Sequence, residues 1–502
     1  MSNVLDVERL KKLERRICEI AKEWGLFTRE IMFEIVPAQR MLEGMAYMFP
    51  VNFSHWSFGR DYEKYRTIYD HTGSGIPYEQ VWNFEPPLAF LVETNPFGLN
   101  TLIIGHVYGH DDYFQGSKFL QLGRSFSDVA DEAYHARERF REYEVQHGKE
   151  EVEKTIDAGI SIQWQQHPDP FMEEELDEEV ARDRLITMEH EKARPGNDVA
   201  SQFKREEDKN EVLERKLRYL AQRVPPEPVY DLLGYITRYS PILKPWQRDV
   251  LTVLRNQARS LAPNRRTKML NEGWATYWHV RIMRRLFEEG LLTSEEHGVF
   301  NEFHAGVTRE SKISFNWYRI GLALFEYIEE RWDKGRFGKE YNECEDTLKR
   351  AYWDTHAMKG REQIFRVRSF YSDRMAIEEF FTDEFIQQMQ IYIWESDTDA
   401  KTGEVTYYIA ERDPEVIRKM LVRAHTLYGI EPIVVQNADH ERNGLLYLNH
   451  KNTEVDFEEQ HRNGTLAHIQ FLWGKSVFLE TNMEGKRVVC KFDGKKIEVK
   501  PK

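Results

Sequence analysis

The sequence predicts an α+β protein, with a mainly α-helical N-terminal domain over residues 1–387 and a small α+β module over residues 388–502. Three observations predict it. Helical periodicity dominates as far as Gln387, short alternating strands replace it near Gln390, and glycine-marked turns punctuate the remainder of the chain. A chain of 502 residues is long enough for several domains and a large core that needs no disulfide to hold it.

The N-terminal stretch to Trp24 reads as an amphipathic helix with Leu10, Leu13, Ile17 and Ile20 on one stripe. Asp6, Glu8 and Glu14 stand where a secretion signal would need a basic start and an apolar centre. FGLNTLIIGHVYGHDDYFQG, Phe97 to Gly116, comes after Pro96 and forms a second helix. A third runs from about Ser125 to Glu144 and closes near Gly148. From Glu173 to Arg218, 25 of 46 residues are charged, with both signs mixed. Such a segment reads as a solvated helical excursion or a partly disordered insertion. Helical patterning returns from Tyr230 to about Gln387. Then IYIWESDTDAKTGEVTYYIAE gives two strands around a turn at Lys401-Thr402-Gly403. A helix from Pro414 to Tyr428, a strand from Glu431 to Gln436, the strand GLLYLNH, a helix from His461 to Trp473 and three short strands complete the module.

The formal net charge is −15 and the pI about 5.7. That balance argues against a general nucleic-acid binder, whose affinity comes from Lys and Arg on phosphates. No apolar run approaches the length of a membrane span. Cys18, Cys344 and Cys490 are far apart and odd in number, which suits reduced thiols in a cytoplasmic protein. Phosphate-binding glycine loops, a GxSxG elbow and a paired Cys/His signature are missing, so nucleotide hydrolysis and serine or cysteine catalysis have no support.

His106 and His110 lie four residues apart on a helix and therefore share one face, the spacing at which two imidazoles hold one metal ion. In the zinc-protease string HExxH the residue after the first histidine is the glutamate that activates water. Here the string is HVYGH, and Val107 cannot take a proton. The alternative is a pair of hydrogen-bonded histidines in an aromatic core. Glu272, in NEGWATYWH, is a candidate third ligand, among small residues that allow close packing; it would otherwise be a helix-start carboxylate favoured by the dipole. His279 falls on the same face. Two histidines and one glutamate with an open position make the ligand set of a catalytic zinc. Asp111 and Asp112 would orient an imidazole, replace the missing base, or simply occupy the polar side of the helix. His55, His304 and Glu43 are further polar groups without an assigned role.

The strings SHWSFGRDYEKY, NPFGLNTLIIGHVYGHDDYF, NEGWATYWHVRIMR, FHAGV and GREQIFRVRSF resemble successive signatures of the SpoVR family, stage V sporulation protein R. LLYLNH and FLWGKSVFLET are similar to its closing segment, so the likeness spans nearly the whole chain outside the charged stretch. The resemblance implies a bacterial cytoplasmic protein with a role in forming the spore cortex, a peptidoglycan layer. It also implies a serine protein kinase and a companion protein as partners. HxxxH with EGWA far downstream resembles the ligand pattern of zinc metallopeptidases with a distant glutamate. That likeness implies a metallopeptidase-like N-terminal domain, with zinc or another divalent metal on His106, His110 and Glu272. Because Val107 departs from the pattern, the catalytic base would have to come from elsewhere, such as Asp111, Asp112 or His279. Two functions are open: a regulatory factor built on a zincin-like frame, or a metal-dependent hydrolase of peptide or cell-wall precursor bonds.

Overall fold

A computed structural model describes residues 6–72, 77–125, 128–172, 174–193, 206–312, 314–398, 402–426, 429–451 and 456–502. Of the segments expected above, residues 173 and 194–205 of the charged stretch, Lys401 and Tyr428 lie outside the described residues. The fold is mixed α and β and mainly helical. Among the described residues no helix is long and apolar enough to cross a membrane.

Two compact units form, Met1–Tyr134 with Ser260–Gly429, and His135–Arg259 with Ile430–Lys502. These bounds differ from a single division at 387/388. The chain beyond Ile430 joins a middle segment because Val229 and Val435 exchange backbone hydrogen bonds of 3.1 and 2.8 Å. The Gln165 side chain also accepts from the Ile433 amide at 2.7 Å.

In the first unit, β1 (Met32–Val36), β2 (Glu79–Trp82) and β3 (Leu88–Val92) make a sheet in the order β1-β3-β2. β1 runs parallel to β3, and β2 runs antiparallel to it with Glu79 opposite Leu91 and Trp82 opposite Leu88. Five residues after β3 ends, Phe97 begins a helix that ends at Gly116, here the histidine helix. It is buried on all sides, with only Phe97 and Gln115 outside the buried set. The helix Val7–Glu23 lays its stripe of Leu10, Leu13, Ile17 and Ile20 into the same core, as its periodicity requires.

The helix Lys268–Glu288, here the glutamate helix, packs against the histidine helix and against a third helix, Trp317–Asp333. Glycines make these approaches possible. A Cβ on Gly109 would lie 2.6 Å from Ala275 Cα, and one on Gly273 would lie 2.4 Å from the Gly321 carbonyl carbon. Thr267 gives the glutamate helix no side-chain cap. Buried Asp373 caps it from a distance, accepting from the Met269 and Leu270 amides at 2.8 and 3.0 Å. The strands β4 (Ile393–Thr398) and β5 (Val405–Glu411) form a two-stranded antiparallel ribbon belonging to this unit.

In the second unit, β6 (Ile433–His440), β7 (Leu445–His450), β8 (Val477–Met483), β9 (Lys486–Phe492) and β10 (Ile497–Pro501) form one sheet in the order β10-β9-β8-β7-β6. All neighbours are antiparallel except β7 and β8, which the helix Glu459–Trp473 connects as a parallel crossover. The charged stretch contributes the helix Glu178–Lys192, in which Ala181 alone is buried among the described residues.

Candidate metal centre

Helical spacing places His106 and His110 one turn apart with rings perpendicular and centroids 4.5 Å apart. Glu272 approaches from the glutamate helix, its Oε2 3.5 Å from the Nε2 atoms of both histidines. A second carboxylate enters from the sheet: Glu79 Oε1 on β2 lies 3.8 Å from His106 Nε2. The ligand atoms of Glu79, His106 and His110 all fall within 4.8 Å of one another. Glu272 meets both imidazoles but stands outside that mutual set.

The other ring nitrogens are tied down. His110 Nδ1 donates to Asn271 Oδ1 at 2.9 Å, which leaves the Nε2 lone pair facing the cluster. His106 Nδ1 lies 2.9 Å from His279 Nδ1, and His279 Nε2 lies 3.1 Å from His304 Nδ1. One proton order satisfies this chain with neutral rings: His106 donates to His279, and His279 donates to His304. It too leaves an Nε2 lone pair aimed at the cluster. His106 Nε2 and Glu272 Oε2 are buried without a hydrogen-bond partner.

Burial would raise the Glu272 pKa, but His106 and His110 outweigh it and hold the carboxyl far below its ordinary range. Burial pushes Glu79 up, against the opposing pull of His106. Burial acts to lower His110, yet Glu272 and Asn271 raise it overall. Burial carries His279 well below its ordinary value, reinforced by the neighbouring histidines. The Tyr318 ring stacks on His106 with centroids 6.2 Å apart, and the charge of Glu272 raises its hydroxyl pKa. A cavity of about 670 Å³ opens onto the cluster, lined there by Glu79, His110, Asn271, Glu272 and Tyr318.

The structure thus gathers His106, His110, Glu272 and His279, the last as a neighbour of His106. It gives Asp111 and Asp112 other work than that of a base. Asp111 accepts from the Arg29 amide at 2.7 Å and from Arg29 Nε at 2.8 Å. Asp112 accepts from the Phe27 amide at 2.8 Å and Trp274 Nε1 at 2.7 Å, with Arg368 Nε at 3.3 Å. Neither lines the cavity. Burial raises both, Asp112 to about 6, against the pull of the arginines. Successive helix residues turn by about 100°, which carries these two off the histidine face and toward the 27–29 loop. His304 supports His279, His55 meets Ser57 Oγ at 2.7 Å, and Glu43 pairs with Arg40 at 2.9 Å. Sequence reasoning missed Glu79, Asn271 and Tyr318. Asn271 stood in the NEGWA string itself, whereas Glu79 and Tyr318 belong to no motif.

A family model described as "SpoVR like protein" matches residues 5–430. A protein of Escherichia coli (strain K12), described as "Uncharacterized protein YcgB", is 27% identical over 494 residues, covering 93% of this chain and 91% of its own length. No solved structure matches.

Proposed function

The chain belongs to the SpoVR family, and we propose that within this fold it carries a divalent-metal centre, best suited to zinc, that serves a hydrolase of peptide-type bonds. The supporting observation is the spacing of the donors. Hydrogen-bonded N–H···O⁻ pairs close to about 2.7–2.9 Å. Ligands of a tetrahedral zinc, each about 2.0–2.1 Å from the ion, stand about 3.3 Å from one another. The separations here are 3.5, 3.5 and 3.8 Å. They are longer than well-formed hydrogen bonds, and the two of 3.5 Å, from Glu272 to the histidines, suit donors arranged around one ion. A divalent cation would also balance the two carboxylates, Glu272 and Glu79, that meet the histidines here.

His106, His110 and Glu272 would hold the ion, and Glu79 would take the part that Val107 cannot. A bound zinc polarises a carbonyl and lowers the pKa of its water toward about 7. Burial lifts the Glu79 carboxylate, which makes it a better proton acceptor at the open side of the cluster. Tyr318 faces the same space and would donate a hydrogen bond to an oxygen there. Asn271 and His279 orient the two imidazoles. A purely regulatory reading rests on the missing HExxH glutamate, and Glu79 weakens that premise. The cellular setting that we attach to this reading, sporulation and the spore cortex with a serine protein kinase and a companion protein as partners, is only what the family resemblance implies.

Elemental analysis of the purified chain tests the centre. About one equivalent of a zinc-type metal is expected, falling below a tenth in the His106→Ala/His110→Ala variant. An unchanged metal content in that variant would overturn the proposal.

A further inference from the structure

We infer that the site takes its substrate as an extended peptide laid along the free edge of β2. This rests on the metal-centre reading for its chemistry but on separate observations for its shape. β2 is the outer strand of its sheet, paired among the described residues with β3 alone. Every residue from Glu79 to Glu85 lines the cavity. Side chains on a strand alternate between faces, so a cavity seen by one face would touch every second residue. All four residues of β2 line the cavity, as do the three that follow, so it runs along the strand's outer edge, the side that β3 leaves open.

Such an edge recognises one chemistry above others, the main chain of an extended peptide, which supplies the complementary donors and acceptors. The groove is built for side chains as well. Trp82 and Phe84 stack with centroids 6.4 Å apart and ring planes at 15°. With Met48 and Phe49 they form an apolar wall of the same cavity. Trp82 Nε1 donates to the Met48 carbonyl at 3.0 Å, which fixes that wall to the strand. Glu79, at the start of the strand, brings the edge to the histidines, so a peptide on β2 passes the candidate centre. A volume of about 670 Å³ accommodates a short run of residues rather than a single amino acid.

The test uses the full chain, with and without added zinc, on an array of N-acetylated, C-amidated octapeptides. The best binder is then N-methylated one amide at a time and titrated by calorimetry. Loss of a strand-type hydrogen bond should weaken binding about tenfold at every second residue and leave the intervening ones nearly unchanged. Phe84→Ala should relax the preference for a large apolar side chain at one position. No binder in the array, or methylation effects without a period of two, would overturn the inference. Metal content measured on the same samples separates the two readings: metal present without peptide recognition removes the edge, and alternating recognition without metal removes the centre.

Discussion

Replacing Gly109 by alanine tests whether the close approach of two helices sets the geometry of the cluster. A Cβ at this position would lie 2.6 Å from Ala275 Cα and 3.3 Å from both its Cβ and its carbonyl oxygen. Carbon atoms in contact rest at about 3.5–4.0 Å, so the helices must part by about 1 Å. Gly109 adjoins His110, and Ala275 lies one turn beyond Glu272, so the shift passes to donors now 3.5 Å apart. Metal–ligand distances tolerate only about 0.2 Å, and a displacement several times larger should weaken zinc binding by more than tenfold. Overpacking costs about 1–3 kcal/mol. The gain in helix propensity returns up to about 1 kcal/mol, so the chain should stay folded with a net loss of about 0–3 kcal/mol. Gly105→Ala is the control on the same face, because its Cβ would meet Ile282 Cγ2 at 3.4 Å, an ordinary contact. Competition against a chromophoric zinc chelator, with thermal melts on the same samples, gives both readings. Unchanged zinc affinity in Gly109→Ala, or an equal loss in Gly105→Ala, would refute the reasoning.

Glu79→Gln should keep bound metal while lowering turnover of a peptide substrate by about 100-fold or more; loss of the metal itself would make Glu79 a ligand instead of a base. Asp112→Asn should cost about 3–5 kcal/mol, because it leaves Arg368 without its buried counter-charge, yet metal content should not change. A metal loss at full folding would return Asp112 to the site. Stability should also fall on acidification through His450, which is 3% exposed and bonded to Thr481 Oγ1 at 2.9 Å. Burial, assisted by Arg487, lowers its folded pKa to about 4. Its ordinary value is about 6.5, so between these limits the unfolded chain takes up a proton that the folded one refuses. Stability is then lost as pH falls through that window, by about 3 kcal/mol, and levels off below it. Urea titrations at pH 7 and pH 4.5 should show a smaller difference in His450→Gln; an identical difference excludes this histidine as the cause.

How much of the molecule was legible in the sequence depends on how far apart the interacting residues lie. The HVYGH pair was legible because helical spacing is local and brings two imidazoles together without help from the rest of the chain. The stripe Leu10, Leu13, Ile17 and Ile20 was legible for the same reason, and all four are buried. Glu272 was legible through its motif. The grouping of the chain beyond Ile430 with residues from 135 onward was not, because it depends on the pairing of Val229 with Val435 across more than 200 positions. Asp111 and Asp112 misled because adjacency in sequence is not adjacency on a helix. Their partners, Phe27 and Arg29, come from a loop that no pattern connects to them.

Glu79 shows the limit most sharply. Its strand is four residues long, with no alternation strong enough to mark an inward carboxylate. Only the tertiary fold, in which β2 pairs with β3 and sets Glu79 opposite Leu91, brings it to His106 in the middle of the histidine helix. The substitution at Val107 therefore reads differently in three dimensions. Val107 is fully buried among apolar side chains, where a glutamate would be costly. A carboxylate from the sheet edge reaches the histidines without entering that core. Burial at position 79 disfavours the charged carboxylate. A carboxylate beside two imidazoles and a second glutamate makes physical sense if the cluster holds a cation, and that is the premise the elemental analysis tests.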